Sequence, residues 1–475
     1  MSAPLSQEQK VIHFLNRTSF GPTREEVTRV NRMGIRAYLD EQLRPEAIGD
    51  NLVEDKLAGL KTMRLSSREL IELYPPPRVA RQQANQPGMM AGEQMQAPRM
   101  IIFELQQARL LRAIYSKRQL FEVMVDFWSN HFNVFSAKGA DRWLSTAYDR
   151  DTIRPNALTK FKDILLATAK SPAMLFYLDN WMSASPDSPG ARFAGANNRR
   201  RGLNENYARE LMELHTVSVD GGYTQKDVIE VARCFTGWTI RQPRGEGGFH
   251  FEPRIHDNGE KIVLGTRIAP GGGIDDGLRV IELLARQPAT ARFISLKLAR
   301  RFIADDPPPS VVSKAANAFR QSDGDIPTVL RTIIDSPEFF APENYQAKVK
   351  KPLEFVASAL RATGAETQMT HQLLRYVGRM GEPLFLAQPP TGHPDVGRSW
   401  ISPDMLLTRM NFAVDLAANR LPGSRVAPER LKDQEAFLRL VAPEGLSSAT
   451  RAALAESEGQ QALALAMAAP EFQRR

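Results

Sequence analysis

The sequence predicts an all-α protein with a small β-hairpin insertion. Apolar residues recur at helical spacing through most of the chain, and several Ser or Thr residues stand three positions before Glu or Gln, as at helix starts. One short segment alternates apolar and polar residues as a strand does. With 475 residues, 42% of them hydrophobic, the chain can form one large helical domain or two packed domains.

Two capping boxes predict a helical hairpin at the N-terminus. Ser6 stands three residues before Gln9 and Thr23 three before Glu26, with Gly21-Pro22 between the two boxes. A third helix is expected from Ile35 to Leu43. Further along, apolar spacing predicts one or two long core helices over residues 100–134 and another helix over 156–170.

Three regions follow from these patterns. We expect an N-terminal helical region over 1–182, a flexible loop or lid over 183–203, and a C-terminal helical region over 204–475, with one continuous domain as the alternative. Residues 75–98, rich in Pro, Gln and Met, are expected to form another loop. The β-hairpin is expected within 248–265, where Asp257-Asn258-Gly259 supplies the turn.

Composition and missing motifs exclude several classes of function. The single cysteine, Cys234, excludes an intrachain disulfide and a cysteine-cluster metal site. The sequence contains no Walker loop, no dinucleotide fingerprint and no nucleophile elbow. No apolar run is long enough for a transmembrane segment. The start has no secretory leader, which favours a cytoplasmic location, or a periplasmic or secreted one if a leader was removed.

Charge gives a weaker indication of partners. The net charge of +8 permits an anionic partner. Lys348, Lys350 and Lys351 with Arg300 and Arg301 are one candidate anion-binding patch, and residues 199–201 are another. The alternative is that these residues form solvated surfaces. Because no aromatic residues of the stacking type interleave with them, binding to nucleic acid is not expected.

The polar segment 202–216 is the leading candidate site. On a helix, Asn206, Glu210 and Glu213 fall within roughly 60° of one another and so share a face. His215 joins that face only if the helix ends near Leu214. The alternative is a structural ion-pair network, in which Arg209 bonds to carboxylates one turn before and after it.

A second candidate lies at the predicted hairpin turn. His256 and Asp257, together with His131, are the residues we expect to bind a divalent metal if one is present. On an extended strand, His250 and Glu252 would share a face with His256. The alternative is that His250 is a solvated strand residue and that His256-Asp257 only initiates a turn.

The helix around residues 126–133 carries a third polar pattern. Asp126, Asn130 and Asn133 follow one face, while Phe127 and His131 share another. Polar groups among so many aromatic residues indicate a buried network or the wall of a pocket. A lone histidine on an apolar helix is more often a hydrogen-bonded core residue than a ligand.

Together these residues favour an enzyme, with hydrolysis as the default reaction because no cofactor motif is present. Glu210, Glu213 and His215 are the predicted acid–base groups, Arg209 orients a carboxylate or an anionic substrate, and Lys261 is an electrostatic stabiliser. The alternative is a non-catalytic helical scaffold or partner protein.

The chain resembles a bacterial family catalogued as domain of unknown function 1800. The resemblance is carried by residues 126–132, 202–216, 256–261, 297–302 and 400–411, and it extends to 470–472. It implies that relatives are often exported and that a sulfatase-like protein is a candidate partner. Two positions depart from the family pattern: Gln287 stands where a histidine is common, and His393 stands where an aromatic residue is common. No histidine ligand is therefore expected at position 287.

Overall fold

The all-α prediction is confirmed. The computed structural model describes residues 3–76, 97–188, 202–241, 247–368, 371–443 and 445–475. Helices make up most of this part of the chain, and the strands form three small two-stranded antiparallel sheets. The predicted loop 75–98 and the predicted lid 183–203 lie mostly outside the described residues, because 77–96 and 189–201 are not among them.

The first half of the chain forms helices with the predicted starts. Ser6 and Thr23 make complete capping boxes with Gln9 and Glu26, each box satisfying two backbone N–H groups at its helix start. The α-helices of the described residues up to position 188 are Gln7–Thr18, Arg24–Met33, Ile35–Gln42, Asn51–Leu57, Ser67–Leu73, Arg99–Tyr115, Gln119–His131, Asp141–Ala147, Phe161–Lys170 and Pro172–Tyr177.

The second half is also mainly helical. Proline stands in the first turn of several of these helices, where its missing N–H breaks no hydrogen bond. Its described α-helices are Asn206–Glu210, Gln225–Cys234, Ile274–Ala285, Pro288–Phe302, Pro309–Gln321, Ile326–Ile334, Pro352–Thr363, His371–Arg379, Pro403–Ala417, Pro428–Lys432, Gln434–Val441, Ser448–Ala455, Gly459–Ala468 and Pro470–Gln473.

The strands pair differently from the predicted single hairpin. Strand β1, Trp238–Arg241, pairs with β2, Gly248–Phe251, and β3, Lys261–Val263, pairs with β4, Thr266–Ile268. The Pro253–Ile255 turn follows β2, so His250, Glu252 and His256 do not share a strand face. A turn at Leu264-Gly265 joins β3 to β4, with positive φ at both positions. The third sheet joins Glu366–Thr367 to Ser424–Arg425.

One hydrophobic cluster extends through the molecule from Val11 to Phe472. Helix Gln119–His131 lies in it, with Val123, Trp128 and four other nonpolar side chains at most 6% exposed. This burial fixes the rotation of the helix and therefore decides where its polar residues lie. Within the described ranges, no helix is both long and apolar enough to cross a membrane.

Candidate functional site

A polar pocket lies against the outer face of helix Gln119–His131. Asp126, Ser129 and Asn130 recur at one-turn spacing on this helix, and Asn133 continues the stripe just beyond its end. These residues line a cavity of about 610 Å³, part of it open to solvent. Of the two alternatives that the sequence left open, a buried network or a pocket wall, Asp126, Asn130 and Asn133 form a pocket wall. The charged or titratable residues of this central pocket are Arg109, Asp126, Tyr148, Asp149, Lys351, Glu382 and His393.

Arg109 ties together the inner wall of the central pocket. Its guanidinium lies 3.0 Å from an Asp126 oxygen and 2.7 Å from an Asp149 oxygen, and it donates to Ser129 Oγ at 2.7 Å. It also stacks over the Phe385 ring, 4.9 Å from the ring centroid. Arg109 and its neighbouring cations lower the pKa of Asp149 despite its burial. The network is largely buried and holds Asp126 in one orientation.

The loop around His393 forms the facing wall. Asn130 accepts a hydrogen bond from the His393 backbone N–H at 2.7 Å and donates one to the His393 carbonyl at 2.9 Å. Gly392 makes this approach possible because its φ is +70° and a Cβ there would lie 2.5 Å from the Asn130 carbonyl oxygen. Burial, with Lys351 as the next cause, lowers the pKa of His393, so its imidazole is neutral at pH 7.

Glu382 is the most perturbed carboxyl group in the central pocket. Its residue is only 4% exposed, and its Oε2 accepts the Leu353 backbone N–H at 2.8 Å. Burial raises the pKa of Glu382 to about 8, and Asp126 acts in the same direction, against the opposing effect of Lys351. Lys351 does not bring the pKa of Glu382 back to its ordinary value. The Nζ of Lys351 lies 3.4 Å from Asp395, and Asp395 is the largest of the causes that raise the pKa of Lys351 against its burial.

The predicted polar helix lies beside this pocket but does not line it. Asn206 donates to the Leu178 carbonyl at 3.3 Å. Burial raises the pKa of Glu210, with Glu213 as the next cause, so the two carboxylates are neighbours as their spacing implies. Glu210 in turn contributes to the raised pKa of Tyr177, whose hydroxyl donates to the Gln388 carbonyl at 2.6 Å.

Arg209 lies on the surface of the polar helix. It contacts Glu205 at 3.3 Å and donates to Gln225 at 2.9 Å, with 40% of its side chain exposed. Glu213 accepts a hydrogen bond from the Tyr223 hydroxyl at 3.4 Å. In the described part of the chain, no ion pair joins Arg209 to Glu213, so the alternative of a buried lattice through these two residues is not the observed geometry.

His215 and His131 meet in the core instead of joining the carboxylates. The α-helix passes at Leu211 into a π-helical turn that ends at His215. The His215 carbonyl lies 3.1 Å from His131 Nε2, and the two rings are 6.1 Å apart. Burial and then Lys297 lower the pKa of His215 to about 3 and also lower that of His131, so both rings are neutral at pH 7.

His256, Asp257 and Lys261 form a separate buried cluster. Lys261 Nζ lies 2.6 Å from Asp276 and also bonds to the Asp257 carbonyl. His256 Nε2 is 3.2 Å from the same Asp276 carboxylate, and Nδ1 donates to the Thr236 carbonyl at 2.7 Å. Lys261 is fully buried in this cluster, which places it away from any substrate that enters the central pocket.

Asp257 bonds to an arginine. Arg233 Nε and Nη2 lie 2.8 and 3.1 Å from its two oxygens, a bidentate pair that lowers the pKa of Asp257 against its burial. No group of three or more His, Cys, Asp or Glu side chains within the described ranges is arranged to hold a metal. The predicted metal set of His256, Asp257 and His131 therefore finds no support, since Asp257 and His256 already bond to protein groups.

Sequence reasoning missed several charged residues of these sites. It did not place Arg109, Asp149, Lys351 and Glu382 in the central pocket, or Asp276 in the His256 cluster. Lys351 was noticed only as part of a basic run. The available signal was weak, because neither Arg109 nor Glu382 belongs to a recognisable motif.

With this geometry established, comparison with known proteins places the chain in a family. Residues 13–474 match the family described as "Protein of unknown function (DUF1800)", and the protein belongs to that family. This confirms the resemblance drawn from the sequence. No curated protein and no solved structure matches the chain.

Proposed function

We propose that the protein is an enzyme that performs acid–base hydrolysis in the central pocket, with Glu382 as general acid. The observation that carries the proposal is the combination of a buried Glu382, whose pKa is raised to about 8, with Asp126 in the same pocket. A carboxyl group that keeps its proton near neutral pH, with a second carboxyl group nearby, is a usual basis of acid–base catalysis.

In this mechanism Glu382 donates its proton to the leaving group of the substrate. The Asp126 carboxylate, oriented by Arg109, accepts a proton from the attacking water, and exchange with solvent then restores both groups. Ser136, whose buried hydroxyl has no hydrogen-bond partner, supplies a polar contact for the bound molecule.

The polar helix has a supporting role in this proposal. Glu210 acts on Tyr177, and Tyr177 holds the Gln388 carbonyl in the segment that follows Glu382. Glu210 and Glu213 thus become positioning residues. Arg209 and His215 are assigned no contact with the substrate, because one lies on the surface and the other in the core.

The proposal is tested with p-nitrophenyl glycosides, esters, phosphates and sulfates, each assayed for release of p-nitrophenol. Glu382→Gln should reduce kcat at least about 100-fold on any substrate that the wild type hydrolyses. Glu343→Gln, at an exposed glutamate, is the matched control and should leave kcat unchanged. Activity should fall as the pH rises through about 8, because Glu382 must be protonated. Full activity of Glu382→Gln, or no turnover of any of these substrates, would contradict the proposal.

One observation favours the alternative of a partner protein. Leu407, Met410 and Val414 are 57, 48 and 43% exposed on helix Pro403–Ala417, at spacings that place them on one side. Such a stripe suits contact with another protein, and the sulfatase-like protein implied by the family resemblance is the candidate. Co-purification of the two proteins should be lost with Met410→Glu and retained with Asp404→Lys on the same helix. Equal recovery with both variants would remove this alternative.

A further inference from the structure

A second pocket beside the central one is lined by basic side chains. Lys351 belongs to both pockets. The others are Lys297, Arg301, Lys348 and Arg475, and the space between them is about 320 Å³ when its opening to solvent is included. Sequence reasoning left open whether Lys348, Lys351 and Arg301 form a solvated surface. They do not, because no more than 12% of any of these three side chains is exposed.

Three carboxylates are shared among these five cations. Lys297 and Lys351 both contact Asp395, at 3.5 and 3.4 Å. Arg301 and Arg475 each lie 3.0 Å from the same oxygen of Glu354. Lys348 pairs with Asp305. The basic pocket therefore has an excess of buried positive charge, which is unfavourable without a further anion.

Several donors on the pocket wall have no acceptor. Nη1 of Arg301, Nε of Arg475 and the indole Nε1 of Trp400 are buried without a hydrogen-bond partner, whereas Nη2 of Arg301 faces Glu354 at 3.0 Å. Buried donors of this kind are rare in folded proteins, and an oxyanion can accept from several of them at once. Arginine forks in particular match the oxygen spacing of carboxylate, phosphate and sulfate groups.

We propose that the basic pocket is a binding site for a small oxyanion such as phosphate or sulfate. Its charge would offset the surplus of cations, and its oxygens would accept from Arg301, Arg475 and Trp400. The site would bind its anion whether or not the central pocket is catalytic, because neither Glu382 nor Asp126 lines it.

Binding of an anion would change the titration of two of the basic groups. Burial and the neighbouring Arg475 lower the pKa of Lys348 to about 7, although Asp305 acts in the opposite direction. Burial and then Arg301 lower the pKa of Arg475 to about 9. A bound oxyanion would raise both pKa values, so the protein should take up protons when the anion binds near pH 7 to 8.

The experiment is calorimetric titration of the whole protein with sodium phosphate and sodium sulfate, against sodium chloride at equal ionic strength. Saturable binding of phosphate or sulfate, absent with chloride, is expected. Repeating the titration at pH 7.5 in two buffers of different ionisation enthalpy should show net proton uptake. Titration with methyl phosphate and methyl sulfate distinguishes a free inorganic anion from an ester group of a larger ligand. Tighter binding of the inorganic ion indicates the first, and tighter binding of the methyl ester indicates the second.

Variants test whether the anion is held in this pocket. Lys348→Met should weaken phosphate or sulfate binding at least about tenfold, whereas Lys226→Met, at an exposed lysine, should change it less than about twofold. Arg301→Lys keeps the charge but removes the planar guanidinium, so it should also weaken anion binding. It provides the test if Lys348→Met does not fold. Absence of saturable binding to the wild type, or equal affinity in all three variants, would overturn the proposal.

Discussion

The raised pKa of Glu382 has a direct consequence for the pH dependence of stability. In the unfolded chain this carboxyl loses its proton near its ordinary pKa of 4.5, whereas in the folded protein it keeps the proton until about pH 8. Between these values the folded state binds more protons than the unfolded state. The contribution of Glu382 to stability is therefore fully present below pH 4.5 and is lost as the pH rises toward 8.

The size of this loss follows from the shift. Each pH unit inside the window costs up to about 1.4 kcal/mol of unfolding free energy, and the whole window costs on the order of 3 to 5 kcal/mol. The groups that act on Glu382 are Lys351, Asp126 and Glu354, and Arg409 is also an electrostatic neighbour. These groups stay in place in Glu382→Gln, which removes only the titration.

Urea unfolding of the wild type and Glu382→Gln at pH 5, 6, 7 and 8 measures the effect. The unfolding free energy of the wild type minus that of the variant should decrease at each step from pH 5 to pH 8. The control pair, wild type and Glu343→Gln, should differ by a constant amount. A constant difference between the wild type and Glu382→Gln would show that Glu382 is already ionised at pH 5 and would refute the reasoning.

Three further predictions concern individual contacts. Gly392→Ala should lower the unfolding free energy by roughly 2 to 5 kcal/mol, because the new Cβ strains the backbone and overlaps Asn130. In the control Gly34→Ala a Cβ meets nothing within 4 Å, so only the backbone strain of about 1 to 2 kcal/mol is expected. Lys261→Met should cost about 3 to 5 kcal/mol because it removes the ammonium group paired with the buried Asp276 carboxylate and leaves only His256 beside it. Arg209→Met at the surface should cost less than about 1 kcal/mol, and urea unfolding checks both pairs. Burial raises the pKa of Cys234 to about 12, so this thiol should not react with dithionitrobenzoate in the native protein and should react fully in guanidinium chloride; fast native labelling would contradict its burial.

The helices could be predicted because their signals are local. Ser6 and Thr23 cap the helices that follow them, and each signal lies within four residues of the hydrogen bond that it predicts. The pocket wall on helix Gln119–His131 was equally local, since Asp126 and Asn130 interrupt an apolar helix at one-turn spacing. Polar side chains on a buried helix need hydrogen-bonding groups opposite them, and the sequence shows the polar side chains without showing which groups those are.

The rest of the pocket depends on contacts between distant parts of the chain. Asn130 bonds to the backbone of His393, 263 residues away. Glu382 lies between Gly381 and Pro383, where nothing in the local sequence marks a buried carboxyl. The prediction of the strand pairing was wrong for a related reason, because β1 lies outside the segment in which the hairpin was expected. In addition, the Leu264-Gly265 turn places a leucine at positive φ, a conformation that favours glycine or asparagine.

The two pockets should influence each other through Lys351. This lysine contributes to lowering the pKa of Glu382 on one side and contacts Asp395 at 3.4 Å on the other, where it lines the basic pocket. An oxyanion bound in the basic pocket would partly offset the Lys351 charge, so the pKa of Glu382 should rise further. By reciprocity, ionisation of Glu382 should weaken the binding of the anion. Infrared titration of the Glu382 carboxyl, assigned with Glu382→Gln, can be recorded with and without phosphate. A carboxyl that titrates at the same pH in both conditions, while calorimetry shows phosphate bound, would mean that Lys351 does not couple the two pockets.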